Sequence, residues 1–93
     1  MRQDPERIIE AVCIETGAAR EALLRKGFRG VARGLLMEML YRHGRMKQPE
    51  IGAMLGVDYS AVSVSRKRFL LMKEADPELK SLFEKTKYRI SQG

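Results

Sequence analysis

The sequence predicts an all-α fold of five to six helices, for three reasons. No segment sustains the apolar/polar alternation of a strand, and the β-branched residues are scattered through patterns that repeat every three to four positions. Two Asp-Pro pairs, Asp4-Pro5 and Asp76-Pro77, supply helix-start chemistry. Proline is tolerated in a first helical turn because its missing N–H would have no intrahelical partner there. Gly17, Gly44 and Gly56 stand where the apolar period breaks off, as helix ends require. A chain of 93 residues that is 44% apolar and 32% charged fits one folded domain with a modest core.

The first helix opens at Asp4-Pro5, buries Ile8, Ile9, Val12 and Cys13, and ends at Gly17. Cys13 is alone, so it forms no internal disulfide and reads as a small buried hydrophobe. A short helix over 19–26 turns Leu23 and Leu24 inward, and Gly27 and Gly30 bracket the loop GFRG. The third helix, 31–43, is the most apolar. Val31, Leu35, Leu36, Met39 and Leu40 recur at helical spacing and make it the central strut. His43 lies at its end, where the helix dipole favours a positive charge. Gly44 closes it, and the basic connection Arg45-Met46-Lys47 leads to a short helix over 49–55, with Glu50 as a helix-start charge. A long helix runs from 59 to about 75. Asp76-Pro77 stops it and opens a last helix to about 90. Met37 and Met46 are expected at the surface, and Tyr41 and Tyr88 partly buried.

Within this plan, 48–69 (QPEIGAMLGVDYSAVSVSRKRF) has the spacing of a helix-turn-helix. Ile51, Met54 and Leu55 form a short apolar face, and Gly52 permits close approach of a second helix. Gly56 makes the turn, Asp58 caps the next helix through its side chain, and Val62 wedges between the two. Tyr59, Ser60, Ala61 and Ser63 are left facing outward at the start of the second helix, with side chains suited to base edges in a major groove. A plain helical hairpin has the same spacing.

Charge placement points to an anionic partner. The net charge is +6, and residues 20–47 alone hold eight Lys or Arg against two Glu, while the first nineteen residues are net acidic. Concentrated positive charge suits a phosphate-binding surface. No apolar run approaches the ~20 residues of a membrane span, and MRQDPERIIE lacks a signal-peptide core. The expectation is a cytoplasmic, nucleoid-associated location with no membrane partner.

From Arg25 onward the chain resembles the DNA-binding C-terminal domain of the bacterial replication initiator DnaA. The basic loop RKGFRG, then VARGLLMEMLYR, then QPEIGAMLG followed by DYSAV carry the resemblance, over about two-thirds of the chain. It looks closer still to the DnaA-like C-terminal domain of transposases associated with repetitive extragenic palindromic elements, which share the Ser-Ala-Val opening and a final helix introduced by a sequence like DPELKSL. The resemblance implies a helix-turn-helix of the DnaA C-terminal or Trp-repressor-like type that binds duplex DNA sequence-specifically. It departs at the turn: Gly56-Val57-Asp58 is shorter than the usual form, and Tyr59-Ser60-Ala61 replaces His-Thr-Thr. The implied mode of binding therefore carries over, and the initiator's target sequence does not.

The contacts divide into base readout and phosphate positioning. Tyr59, Ser60, Ala61 and Ser63 are the base-reading candidates, with the Ala61 methyl placed for a thymine methyl and the serines equally suited to capping or solvent. Asp58 is chiefly a cap, with a cytosine amino group as its second use. Lys67 shares the face of Ser60 and Ser63 and suits a base or a phosphate. Arg66 and Arg68 suit flanking phosphates or solvent. The resemblance implies that an arginine of the loop enters the adjacent minor groove. Arg29 is the first candidate and Arg25 the second, with Lys26 beside them. Arg33, Arg45 and Lys47 complete the phosphate candidates.

Enzymatic readings lack residues. There is no glycine-rich loop of the GxxxxGK type. His43 is the single histidine, so the paired-histidine metal site of the transposases resembled cannot be built. No cofactor, metal or catalytic residue is expected. The partners expected are double-stranded DNA and either a catalytic transposase domain or a second copy. The alternative is a helical protein-interaction or self-association module. Duplex RNA fits poorly, because its deep, narrow major groove excludes a helix.

Overall fold

The computed structural model describes residues 3–25 and 30–92. These form six helices: α1 (Pro5–Thr16), α2 (Arg20–Leu24), α3 (Val31–Arg42), α4 (Gln48–Leu55), α5 (Tyr59–Ala75) and α6 (Pro77–Gln92). There is no strand among the described residues. The protein is all-α.

The helix limits follow from local chemistry. The Asp4 carboxylate accepts a hydrogen bond from the Glu6 N–H at 2.9 Å, and Asp76 repeats this with Glu78 at 2.9 Å. Each Asp-Pro pair thus satisfies an orphan donor in the first turn. Gly17 ends α1 at φ +77° and donates its N–H to the Cys13 carbonyl. Helix α4 begins one residue earlier than proline placement suggests. The Lys47 N–H donates to the Glu50 carboxylate at 2.8 Å, which fixes Lys47 as the cap. Helix α2 is shorter than expected and α6 runs two residues further.

Helix α3 is the central strut. Arg33 through Leu40 are all buried, because α1, α4 and α5 all pack on it. That enclosure corrects the placement of Met37, which is only 2% exposed. Met46 is also buried: its N–H donates to the Leu40 carbonyl and draws the connection after α3 inward. Met54, expected on the apolar face of α4, is exposed instead. Tyr41 and Tyr88 are likewise exposed rather than partly buried. Cys13, Leu24 and Val31 are half-buried against the core, and burial raises the Cys13 thiol above its ordinary pKa.

All six helices contribute to the buried apolar cluster. Helix α1 packs on α3 and α6, while α5 packs on α3, α4 and α6. Phe69 and Phe83 meet with ring centroids 6.2 Å apart and join α5 to α6. Two glycines set close approaches. A Cβ on Gly34 would lie 3.0 Å from the Phe69 Cβ, so α3 and α5 cross nearly backbone to backbone. A Cβ on Gly52 would collide with the Val57 carbonyl oxygen. The close neighbour of Gly52 is therefore the turn itself, not the second helix.

Candidate nucleic-acid interface

Helices α4 and α5 are joined by the turn Gly56-Val57-Asp58. Gly56 adopts φ +72°, and the Val57 N–H donates to the Gly52 carbonyl at 2.9 Å. Val62 is fully buried beyond the turn and holds the first part of α5 to the core. Asp58 has extended backbone at the N-cap, and its carbonyl accepts the Val62 N–H. Its side chain makes no capping bond, which corrects the role expected of it. The carboxylate is exposed beside the start of α5.

At the start of α5, Tyr59 is 63% exposed and Ser60 is exposed, whereas Ala61 and Ser63 are half-buried. Four positions within a run of five residues cannot share one outward direction, since each step rotates ~100° about the axis. Ala61 instead borders a cleft between α3 and α5 with Ser65, Arg68 and Met72. The side of α5 opposite buried Val62 and Phe69 carries Ser60, Val64, Lys67 and Leu71, all exposed. Val64 and Leu71 were not among the sequence candidates. Their spacing from Ser60 by one and three turns is the signal that identifies them.

Two expected phosphate contacts are overturned. Arg33 is buried, and its guanidinium donates to three backbone carbonyls: Leu23 at 2.7 Å, Arg25 at 2.9 Å and Leu55 at 2.9 Å. Burial pulls its pKa below the ordinary value, although arginine stays charged in proteins. Each carbonyl belongs to a helix end or the residue after one, where intrahelical donors run out. Arg33 thus ties the end of α2, the residue after it and the end of α4 together.

Arg66 is the second correction. Its Nε donates to Glu38 at 2.9 Å, its Nη1 to Gln48 at 2.7 Å, and its guanidinium lies 3.6 Å from the Tyr41 ring centre. Glu38 is fully buried and also accepts from Arg42 Nε. This cluster joins α3, the start of α4 and the middle of α5. The sequence search missed Glu38. Its signal was a lone carboxylate inside the apolar run 35–40, with Arg42 four residues on.

The remaining basic candidates are at the surface. Arg25, Arg45, Lys47, Lys67 and Arg68 are exposed, and among the described residues none of them forms an ion pair. Arg45 takes φ +53°, the left-handed region that disfavours a side chain. Lys26 and Arg29 lie outside the described residues. The two ends of their segment are nonetheless placed. Arg25 is held through Arg33 to the end of α4, and Gly30 borders the same cleft as Val57 and Ala61.

No protein-family model and no curated protein matches the chain. Among the described residues, no cluster of three or more His, Cys, Asp or Glu is arranged to hold a metal, and no helix is long and apolar enough to cross a membrane.

Proposed function

We propose that this chain binds double-stranded DNA sequence-specifically as a DnaA-like helix-turn-helix, with α5 in the major groove and the basic segment 25–30 at the adjacent minor groove. The observation that carries the reading is the placement of that segment's two ends beside the turn that starts α5. A two-groove grip needs that adjacency, and nothing in the local sequence of either element demands it. The motifs VAR, PEIG and LG support the same reading and suggest service to a transposase or a replication-initiator-like protein, in the cytoplasm with the nucleoid. No catalytic role is part of the proposal.

In this reading Tyr59 and Ser60 read bases, and Asp58 is available to a cytosine amino group. Arg25, Arg45, Lys47, Lys67 and Arg68 neutralise phosphates. Arg45 and Lys47 lead into α4, whose first-turn amides suit a phosphate. The test is the salt dependence of binding to a duplex library. Affinity falls linearly on logarithmic axes, with a slope near about −4.5 if five phosphates each release ~0.9 counterion. A slope near zero overturns the proposal.

One observation favours a protein partner instead. Leu71 is 73% exposed and Met72 41%, both past the first turns of α5. A salt-insensitive association of the chain with itself or another protein, without duplex binding, would select that reading.

A further inference from the structure

The outward side of α5 carries an aliphatic side chain with no work in the fold. Val64 is 54% exposed, although Val62 and Phe69 on the opposite side are buried. A β-branched residue is a poor helix former compared with lysine or alanine. At this exposure it recovers little of that cost through burial. It stands one turn after Ser60 and one turn before Lys67, both exposed, so a hydroxyl, an isopropyl group and an ammonium follow one another along one line.

Base edges in a major groove present donors, acceptors and a single kind of apolar feature, the C5-methyl group of a pyrimidine. We propose that Val64 is a specificity-determining residue whose methyl groups meet that C5-methyl, beside the base approached by Ser60. The inference rests on the major-groove reading of α5 above. It gives the methyl-reading role to Val64 rather than Ala61, because Ala61 is half-buried and turned toward the α3–α5 cleft. Thymine and 5-methylcytosine both offer the methyl.

The experiment starts from a preferred duplex selected from a random library. Each thymine is then replaced singly by deoxyuridine, which removes only the methyl. At one position the loss should be about fourfold, the ~0.8 kcal/mol of one buried methyl. Val64→Ala should bind the thymine and uracil duplexes equally, with the wild-type salt slope and an unchanged circular dichroism spectrum. Cytosine and 5-methylcytosine placed at that position separate the sources. A gain on methylation shows that the methyl alone is read. No gain, with the uracil effect present, assigns the contact to thymine. If uracil is tolerated at every position, or if Val64→Ala keeps the methyl dependence, the Val64 assignment is overturned while duplex selectivity stands. A chain that binds all duplexes alike overturns the groove reading, and this assignment with it.

Discussion

At the scale of single residues, five arginines that look interchangeable in the sequence have different roles. Arg33 and Arg66 hold helices together, whereas Arg25, Arg45 and Arg68 face solvent. The difference is measurable. Arg33→Lys keeps the charge but lacks the planar fork that serves three carbonyls, leaving at least one buried acceptor unpaired. Stability to urea should fall by about 1–3 kcal/mol, while the salt slope of DNA binding by folded protein stays at the wild-type value. A changed slope with unchanged stability would return Arg33 to the phosphate contacts. Lys67→Ala should do the reverse, leaving the urea midpoint alone and making the slope shallower by about 0.9. Replacing the neighbouring Arg66 by alanine should lower the urea midpoint, because it strands Glu38 inside the core with only Arg42 beside it.

At the scale of elements, what the sequence revealed and what it hid separate by the range of the cause. Helix starts at Asp4 and Asp76 and ends at Gly17 and Gly56 were legible, because the capping donors and acceptors lie within a few residues. The end of α5 was legible for the same reason, at Asp76-Pro77, whereas its start falls at Tyr59 without the side-chain cap expected of Asp58. Met37 and Glu38 were misread or missed, because their surroundings come from α5, twenty-eight residues further on in the case of Arg66. The outward side of α5 was misjudged at Ala61, since composition shows which side chains suit a groove but not which direction they take. Gly52 shows both limits: its need for close approach was visible, and the approaching group was not. Gly52→Ala should therefore destabilise the protein by about 1–3 kcal/mol, since the new Cβ must displace the rigid backbone of the turn at Val57. A urea titration checks this. An unchanged midpoint would mean that the turn relaxes freely, and a movable turn could not aim the start of α5.

At the scale of the whole molecule, exposed cations lie both on α5, at Lys67 and Arg68, and on α6, at Lys80, Lys85, Lys87 and Arg89, the helix that packs beside acidic α1. The end of α3 meets the first described residue of the chain. The His43 carbonyl accepts the Gln3 N–H at 2.9 Å, and its imidazole Nε2 is buried without a hydrogen-bond partner among the described residues. A helix C-terminus ordinarily favours a protonated histidine. Here burial, and then the charges of Lys87 and Arg42, depress its pKa below the ordinary histidine value of 6.5, against the weaker opposing pull of Glu38. The consequence for stability has a definite sign. Well above pH ~6.5 neither the folded nor the unfolded chain protonates the ring, and His43 contributes no pH dependence. As pH falls below that value the unfolded chain takes up a proton that the folded chain resists, so stability declines until the folded pKa is passed, by at most about 1.4 kcal/mol per pH unit. His43 is the only histidine, so this window is not shared with another side chain of ordinary histidine pKa. The lowered pKa of Glu6 acts below pH 4.5, outside it. Urea midpoints measured from pH 7.5 to 5 should therefore decrease for the wild type and stay level for His43→Gln. An equal decline in both proteins would place the proton uptake on another group and remove His43 from the account of acid sensitivity.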